Sequence, residues 1–259
     1  MRTIAIINEK GGVGKTTTAI NLAAALLEQG HRTLLIDLDP QAGASRGLGV
    51  TLPTSEHTIY PVLRGDLLLE KALVTTGSGI DLVPSHLDLV VLGPSLQVGR
   101  EMRLRSALST LSPEAYEFVL LDCPPSLDCL TLNALAAAGE VLIPLIPHVF
   151  SVYALLPLIQ VITQARHYYN PALKILGIVP SMCDTHKINL EREVLQGLPD
   201  LIQCPFLHSI RRTVKVAEAP ARGMPVLVYA PRHPVSEDFR ILAREVLNGS
   251  APFPNGRTG

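Results

Sequence analysis

Residues 3–17 read TIAIINEKGGVGKTT. Thr3–Asn8 is a short apolar, β-rich run. From Lys15 onward Ile20, Ala23, Ala24 and Leu27 recur at helical spacing, and Gly30 ends the pattern after Gln29. Between them lies Lys10-Gly-Gly-Val-Gly-Lys-Thr-Thr17. A glycine-rich loop between a strand and a helix lets backbone N–H groups turn inward around phosphate oxygens, and the helix N-terminus adds its positive dipole end. In such a loop Lys15 is placed to reach β- and γ-phosphates, and the Thr16 hydroxyl to bind Mg²⁺. The usual pattern is G-x-x-x-x-G-K-[ST]; here Lys10 stands in place of the first glycine.

The same alternation continues along the chain. Thr33–Asp37, Ile80–Pro84, Glu117–Asp122, Glu140–Pro144 and Lys174–Pro180 are continuous apolar runs that read as buried strands. Helical patterns fall near 100–111, 128–138, 151–168 and 188–198, with a last one at about Ser236–Leu247. Apolar strands separated by helices predict an α/β fold: a mostly parallel β-sheet with helices on both faces. Leu48–Gly79 is the least regular stretch, holding a helical LLLEKAL. A single domain over 1–249 is expected, with a frayed Pro- and Gly-rich tail at 250–259.

Composition narrows the function classes. The 259 residues are 47% hydrophobic and 17% charged, which excludes a disordered chain. The net charge of −1 excludes a polycation, so any nucleic-acid binding must come from a local patch. Residues 160–259 carry twelve basic and eight acidic side chains, against ten and fifteen in 1–159. No run of about 18 uncharged apolar residues predicts a membrane span, and the N-terminus reads as a strand, not a signal peptide. Cys123, Cys129, Cys183 and Cys204 form no C-x-x-C pair, and the eight histidines form no i, i+4 pair. Reduced thiols and a cytoplasmic setting follow.

Lys10–Thr17 resembles the deviant Walker A box of the ParA/MinD ATPases. Further blocks favour the ParA (Soj-like) chromosome or plasmid partition ATPases: LLIDLDPQA at 34–42, EFVLLDCPPS at 117–126, LTLNAL at 130–135, Glu218-Ala219-Pro220, and Gly223-Met224-Pro225-Val226. The resemblance implies a P-loop NTPase of the deviant Walker A type with ATP and Mg²⁺ as cofactors. It implies a nucleotide site of Lys10, Gly11, Gly12, Val13, Gly14, Lys15, Thr16 and Thr17, with Lys10 reaching the partner's phosphates in an ATP-bound homodimer. Asp39 matches the residue that orients the attacking water. Thr16, Asp37 and Asp122 are the expected metal residues.

The family further implies non-specific DNA binding by the ATP dimer, release on hydrolysis stimulated by a ParB-like partner, and association with the nucleoid. Arg212, Lys215, Lys187 and Arg192 are the expected DNA contacts, with Arg211, Arg222 and Arg240 in the same basic half. Arg211 and Thr213 occupy a segment that usually touches the adenine, although a proline and an asparagine are usual there. Two alternatives use the same box. A MinD-like division-site ATPase calls for a basic amphipathic C-terminal helix, which APFPNGRTG does not spell. A cluster carrier of the nitrogenase iron protein type needs bridging cysteines, and Cys123 has no evident partner.

Overall fold

A computed structural model describes residues 1–51, 54–92, 99–148, 155–184 and 204–249. Seven strands form one sheet: β1 (Arg2–Ile6), β2 (Thr33–Asp37), β3 (Val74–Thr75), β4 (Asp81–Val83), β5 (Phe118–Asp122), β6 (Glu140–Leu145) and β7 (Lys174–Pro180). Their order is β3-β4-β2-β5-β1-β6-β7. Every pair is parallel except β3 with β4. The two-residue β3 is too short to leave a pattern in the sequence.

The strands are apolar without alternation because both faces are covered. Ala5, Leu34, Ile36, Val119 and Leu121 pack into one core layer, and Ile4, Ile6, Leu35, Phe118 and Leu120 into the other. The first layer receives α3 (Ile59–Arg64), α4 (Arg103–Leu108), α5 (Cys129–Ala137) and α6 (Leu155–Tyr168). The second receives α1 (Lys15–Glu28), the short α2 (Gly43–Gly47) and α8 (Val226–Tyr229), and α9 (Pro234–Asn248); α7 is the single turn Lys215–Glu218.

Local chemistry sets the ends. β1 stops at Ile6, two residues before the predicted end. The buried Asn8 side chain bonds Pro144 O (2.8 Å) and accepts from Lys10 N–H (3.0 Å), turning the chain into the loop. α5 starts at Cys129 because Asp128 caps it, accepting from Leu130 N–H. α9 starts at Pro234, ahead of the predicted Ser236, with the His233 ring as cap and Pro234 in the first turn. The predicted helix at 100–111 is a 3-10 turn, Arg100–Met102, followed by α4, and LLLEKAL yields only the 3-10 turn Leu69–Ala72. The expected helix at 188–198 and the tail 250–259 lie outside the described residues.

Gly177 shows how the sheet is extended beyond β7. Residues 205–211 run beside it through Ile178 N–H to Pro205 O, Leu207 N–H to Ile178 O and Ile210 N–H to Pro180 O. A Cβ on Gly177 would sit 2.8 Å from Leu207 Cγ and 2.9 Å from Pro205 O. The second contact is backbone and cannot rotate away. Gly177→Val is therefore expected to lower stability by about 2 kcal/mol, as overpacking does, and to expose 205–211 to faster hydrogen exchange. An unchanged urea midpoint would show that this close approach is not required.

Candidate functional site

The strand order reverses beside β1. The chain first moves to the β2 side and later crosses from β5 to β6 on the other side. In open α/β sheets the crevice at the carboxyl ends of the strands at such a point is where ligands bind. Ile6 and Asp37 both pair with Asp122, so the ends of β1, β2 and β5 stand together there.

The loop that leaves β1 fills this edge. Gly12 (φ 74°) and Gly14 (φ 94°) are left-handed, and Gly14 opens α1 with no side-chain cap. The first N–H groups of α1 are left for a ligand. Nothing lies within 4 Å of where a Cβ would stand on Gly11 or Gly12, so the cradle is open. Val13 is buried, and its carbonyl accepts from Ser181 Oγ at 2.7 Å, tying the loop to the end of β7. Lys10 is exposed. Lys15 is 7% exposed, and its Nζ donates to Lys10 O at 3.2 Å across the loop. Burial lowers the Lys15 pKa; Asp122, Cys123 and Asp39 oppose that shift.

Two aspartates close the floor. Both oxygens of Asp122 are buried without a hydrogen-bond partner among the described residues. Burial pushes its pKa well above the usual carboxylate range, Asp37 pushes it further, and the nearby Thr16 hydroxyl pulls it down. An unpaired buried carboxylate calls for an explanation. A hard cation between Asp122 and the Thr16 hydroxyl supplies one, since Mg²⁺ takes one or two protein oxygens and the rest from phosphate and water. The residues present fit the ion.

Asp37, expected to support the metal shell, is bonded within the protein. Its Oδ1 accepts from Asp39 N–H (3.1 Å), and its Oδ2 from Ser45 N–H (2.8 Å) and Ser45 Oγ (2.7 Å). Both oxygens are committed to the loop after β2, so Asp37 holds that loop. Burial raises its pKa to about 6 against those bonds. Asp39 is half-buried, with Oδ1 accepting from Gln41 N–H at 2.8 Å.

The C-terminal basic residues divide. Arg211, expected near the adenine, is engaged within the protein. Its Nε and Nη2 grip the buried Asp238 of α9 at 2.7 and 2.6 Å, and its N–H donates to the same carboxylate at 3.1 Å. His208 Nε2 lies 3.3 Å from Asp238 as well. Although burial works against it, the Arg211 and His208 bonds hold the Asp238 pKa down at about 2. Thr213 Oγ1 accepts from Lys215 N–H at 3.3 Å, just ahead of α7. Lys215 is paired with Glu218 at 2.7 Å and lies over the Tyr229 ring. Arg240 is not a free cation either: it pairs with Glu28 and Glu237. Arg212 and Arg222 are exposed, and their side chains have no ion-pair partner among the described residues. Lys187 and Arg192 lie outside the described residues.

Sequence reasoning passed over Asn8, Asn21, Ser45, Ser85, Ser181 and Asp238. Asn21 Oδ1 accepts from Val226 N–H at 2.7 Å, anchoring the Gly223–Val226 block to α1. Their partners lie up to 205 residues away, and no local pattern marks them.

The open glycine cradle, the buried Lys15, the unpaired Asp122 and the strand order define a P-loop NTPase fold of the deviant Walker A type. The family described as an AAA domain, AAA_31, matches residues 1–175. The chain belongs to the ParA/Soj family of chromosome-partitioning ATPases. It is 40% identical over 254 residues to the chromosome partitioning protein ParA of Caulobacter vibrioides, covering 96% of this chain and 94% of that one. It is 41% identical over 248 residues to the chromosome-partitioning ATPase Soj of Thermus thermophilus, covering 95% and 96%. Among solved structures it is similar to cobyrinic acid a,c-diamide synthase from Mycobacterium smegmatis with bound ADP and magnesium. The TM-score is 0.84 at 34% identity, covering 96% and 94% of the two chains.

Proposed function

We propose that this chain is a DNA-partition ATPase. It binds MgATP in the loop Lys10–Thr17, dimerises in that state, coats DNA without sequence preference, and is released when hydrolysis is stimulated by a ParB-like partner. The observation that carries the ATPase reading is the orphaned Asp122 carboxylate beneath an open, left-handed glycine loop. The partition role rests on the relatives' names. The solved relative with ADP and magnesium supports the cofactor pair.

In this reading the backbone N–H groups of Gly11–Thr17 and the Lys15 ammonium bind the phosphates. Lys15 gives up its bond to Lys10 O to do so. Thr16 and Asp122 would hold magnesium, which would supply positive charge against the phosphates. The exposed Lys10 is free to reach across a two-fold interface, where a second cation stabilises developing charge only when two loaded subunits meet. Asp39 orients the attacking water. Intrinsic turnover is slow, because the site is complete only in the dimer. The exposed Arg212 leads the DNA surface, with Lys187 and Arg192 as further contacts. The paired Lys215 can exchange Glu218 for phosphate, since exposed ion pairs are weak. Arg211 and Thr213 shape the segment that is expected to lie beside the adenine. The reading places the protein on the nucleoid. Among the described residues no helix is long and apolar enough to cross a membrane.

Asp39→Ala tests the scheme. The variant is expected to bind ATP as the wild type does, to remain dimeric in light scattering, and to stay on DNA with turnover lost. Retained hydrolysis would leave Asp39 only a structural role.

A further inference from the structure

The Asp39 peptide is held by more than its own strand. Its N–H donates to Asp37 Oδ1 at 3.1 Å, and its carbonyl accepts from Ala42 N–H at 2.7 Å and from Ser85 Oγ at 2.6 Å. Ser85 stands just past β4, 46 residues from Asp39. Its N–H donates to Ser45 Oγ at 3.0 Å, and that hydroxyl donates to Asp37 Oδ2 at 2.7 Å. The bonds close a ring: Asp37, Asp39, Ser85, Ser45 and back to Asp37. Ser45 and Ser85 are 2% and 5% exposed, so water does not compete for these hydroxyls. The turn they steady is strained. Ala42 sits at φ 52°, a conformation that persists in a residue other than glycine only when its surroundings enforce it.

We propose that Ser85, backed by Ser45, is a positioning residue for hydrolysis: it fixes the peptide that aims the Asp39 carboxylate. This rests on the reading of Asp39 as the group that orients water. The geometry separates aim from fold. Without the Ser85 hydroxyl the Asp39 carbonyl still keeps Ala42 N–H, so the loop stays folded while its orientation loosens. None of the ring's members other than Asp39 and Asp37 belongs to the motifs that mark the nucleotide site, and Ser85 lies on a different strand end from the phosphate loop. ATP affinity should therefore be spared. A misplacement of about 1 Å in a reacting group can cost on the order of 100-fold in rate, and a loosened peptide should cost a good part of that.

The test measures single-turnover hydrolysis of MgATP by excess full-length protein for the wild type, Ser85→Ala, Ser85→Thr and Asp39→Ala. Calorimetric ATP affinity and hydrogen exchange of residues 38–46 are followed alongside. Ser85→Ala is expected to hydrolyse about tenfold or more slowly, with ATP affinity within about twofold of wild type and faster exchange over 38–46. Ser85→Thr keeps the hydroxyl and should recover most of the rate. Wild-type hydrolysis by Ser85→Ala beside an inactive Asp39→Ala would overturn the Ser85 proposal and leave the Asp39 reading standing. Wild-type hydrolysis by Asp39→Ala would overturn both. Equal losses of rate and ATP affinity in Ser85→Ala would make Ser85 a structural residue only, and overturn the proposal.

Discussion

Titrated with ATP in a calorimeter, the Lys15→Ala protein should bind at least about 30-fold more weakly than the wild type. Lys15 is the only cation buried in the phosphate loop among the described residues, and it is already desolvated there. Removing one partner of a buried charge pair leaves the other charge unpaired and costs about 2–5 kcal/mol. That range corresponds to a loss of affinity of roughly 30-fold to several thousandfold. The fold should be spared, because the present bond of Lys15 is a single one to a loop carbonyl. The lowered pKa adds a pH signature. The ammonium is needed for binding, so wild-type affinity should start to fall at a lower pH than for an ordinary lysine, once the buried group deprotonates. Unchanged affinity in Lys15→Ala would remove this residue from the site.

Arg212→Glu should abolish DNA binding while leaving ATP-dependent dimerisation intact. In the segment after β7, the exposed Arg212 has no carboxylate to displace, whereas Arg211 is held by the buried Asp238 and Lys215 must first give up Glu218. Its backbone is fixed by N–H donation to Cys183 O at 2.9 Å, so the side chain projects from a firm base. Each phosphate contact is weak alone. A dimer doubles the number Z of phosphates neutralised, and log affinity on duplex DNA falls with log salt with a slope of about −0.9 Z. Binding should be strong with ATP, weak with ADP, and steeply salt-dependent. The charge reversal adds repulsion at the phosphate surface and touches nothing in the nucleotide loop. Arg211→Glu should behave differently. It places a carboxylate against Asp238 and should destabilise the packing of 204–212 on α9. A salt titration in which Arg212→Glu binds DNA like the wild type would move the interface toward Lys187 and Arg192.

The phosphate loop could be read from the chain because its chemistry is contiguous. Strand, glycines, lysine, threonine and helix follow one another within residues 3–29, and the backbone geometry of each step is a local property. The parallel sheet was readable for a similar reason: a strand buried on both faces must be apolar throughout, and that is visible in a single strand. Asp122 was marked as well, by the four apolar residues before it, although nothing in the sequence shows that both its oxygens would be left unpaired. The partners of Asp37 and Arg211 were not readable. Both are charged residues inside motifs, and the motif says which residue stands there but not which neighbour claims it. Asp37 is claimed by Ser45 across eight residues, and Arg211 by Asp238 across 27. Buried charges and hydroxyls bond to whatever the packed helices and strand ends bring within 3 Å, and those partners come from distant parts of the chain. Sequence thus determined the fold class and the phosphate-binding loop, where the information is local. Which described carboxylate is left unpaired, which arginine is left without an ion pair, and what holds Asp39 in place were decided by packing, because a polar side chain's availability depends on whether its partners have already been met.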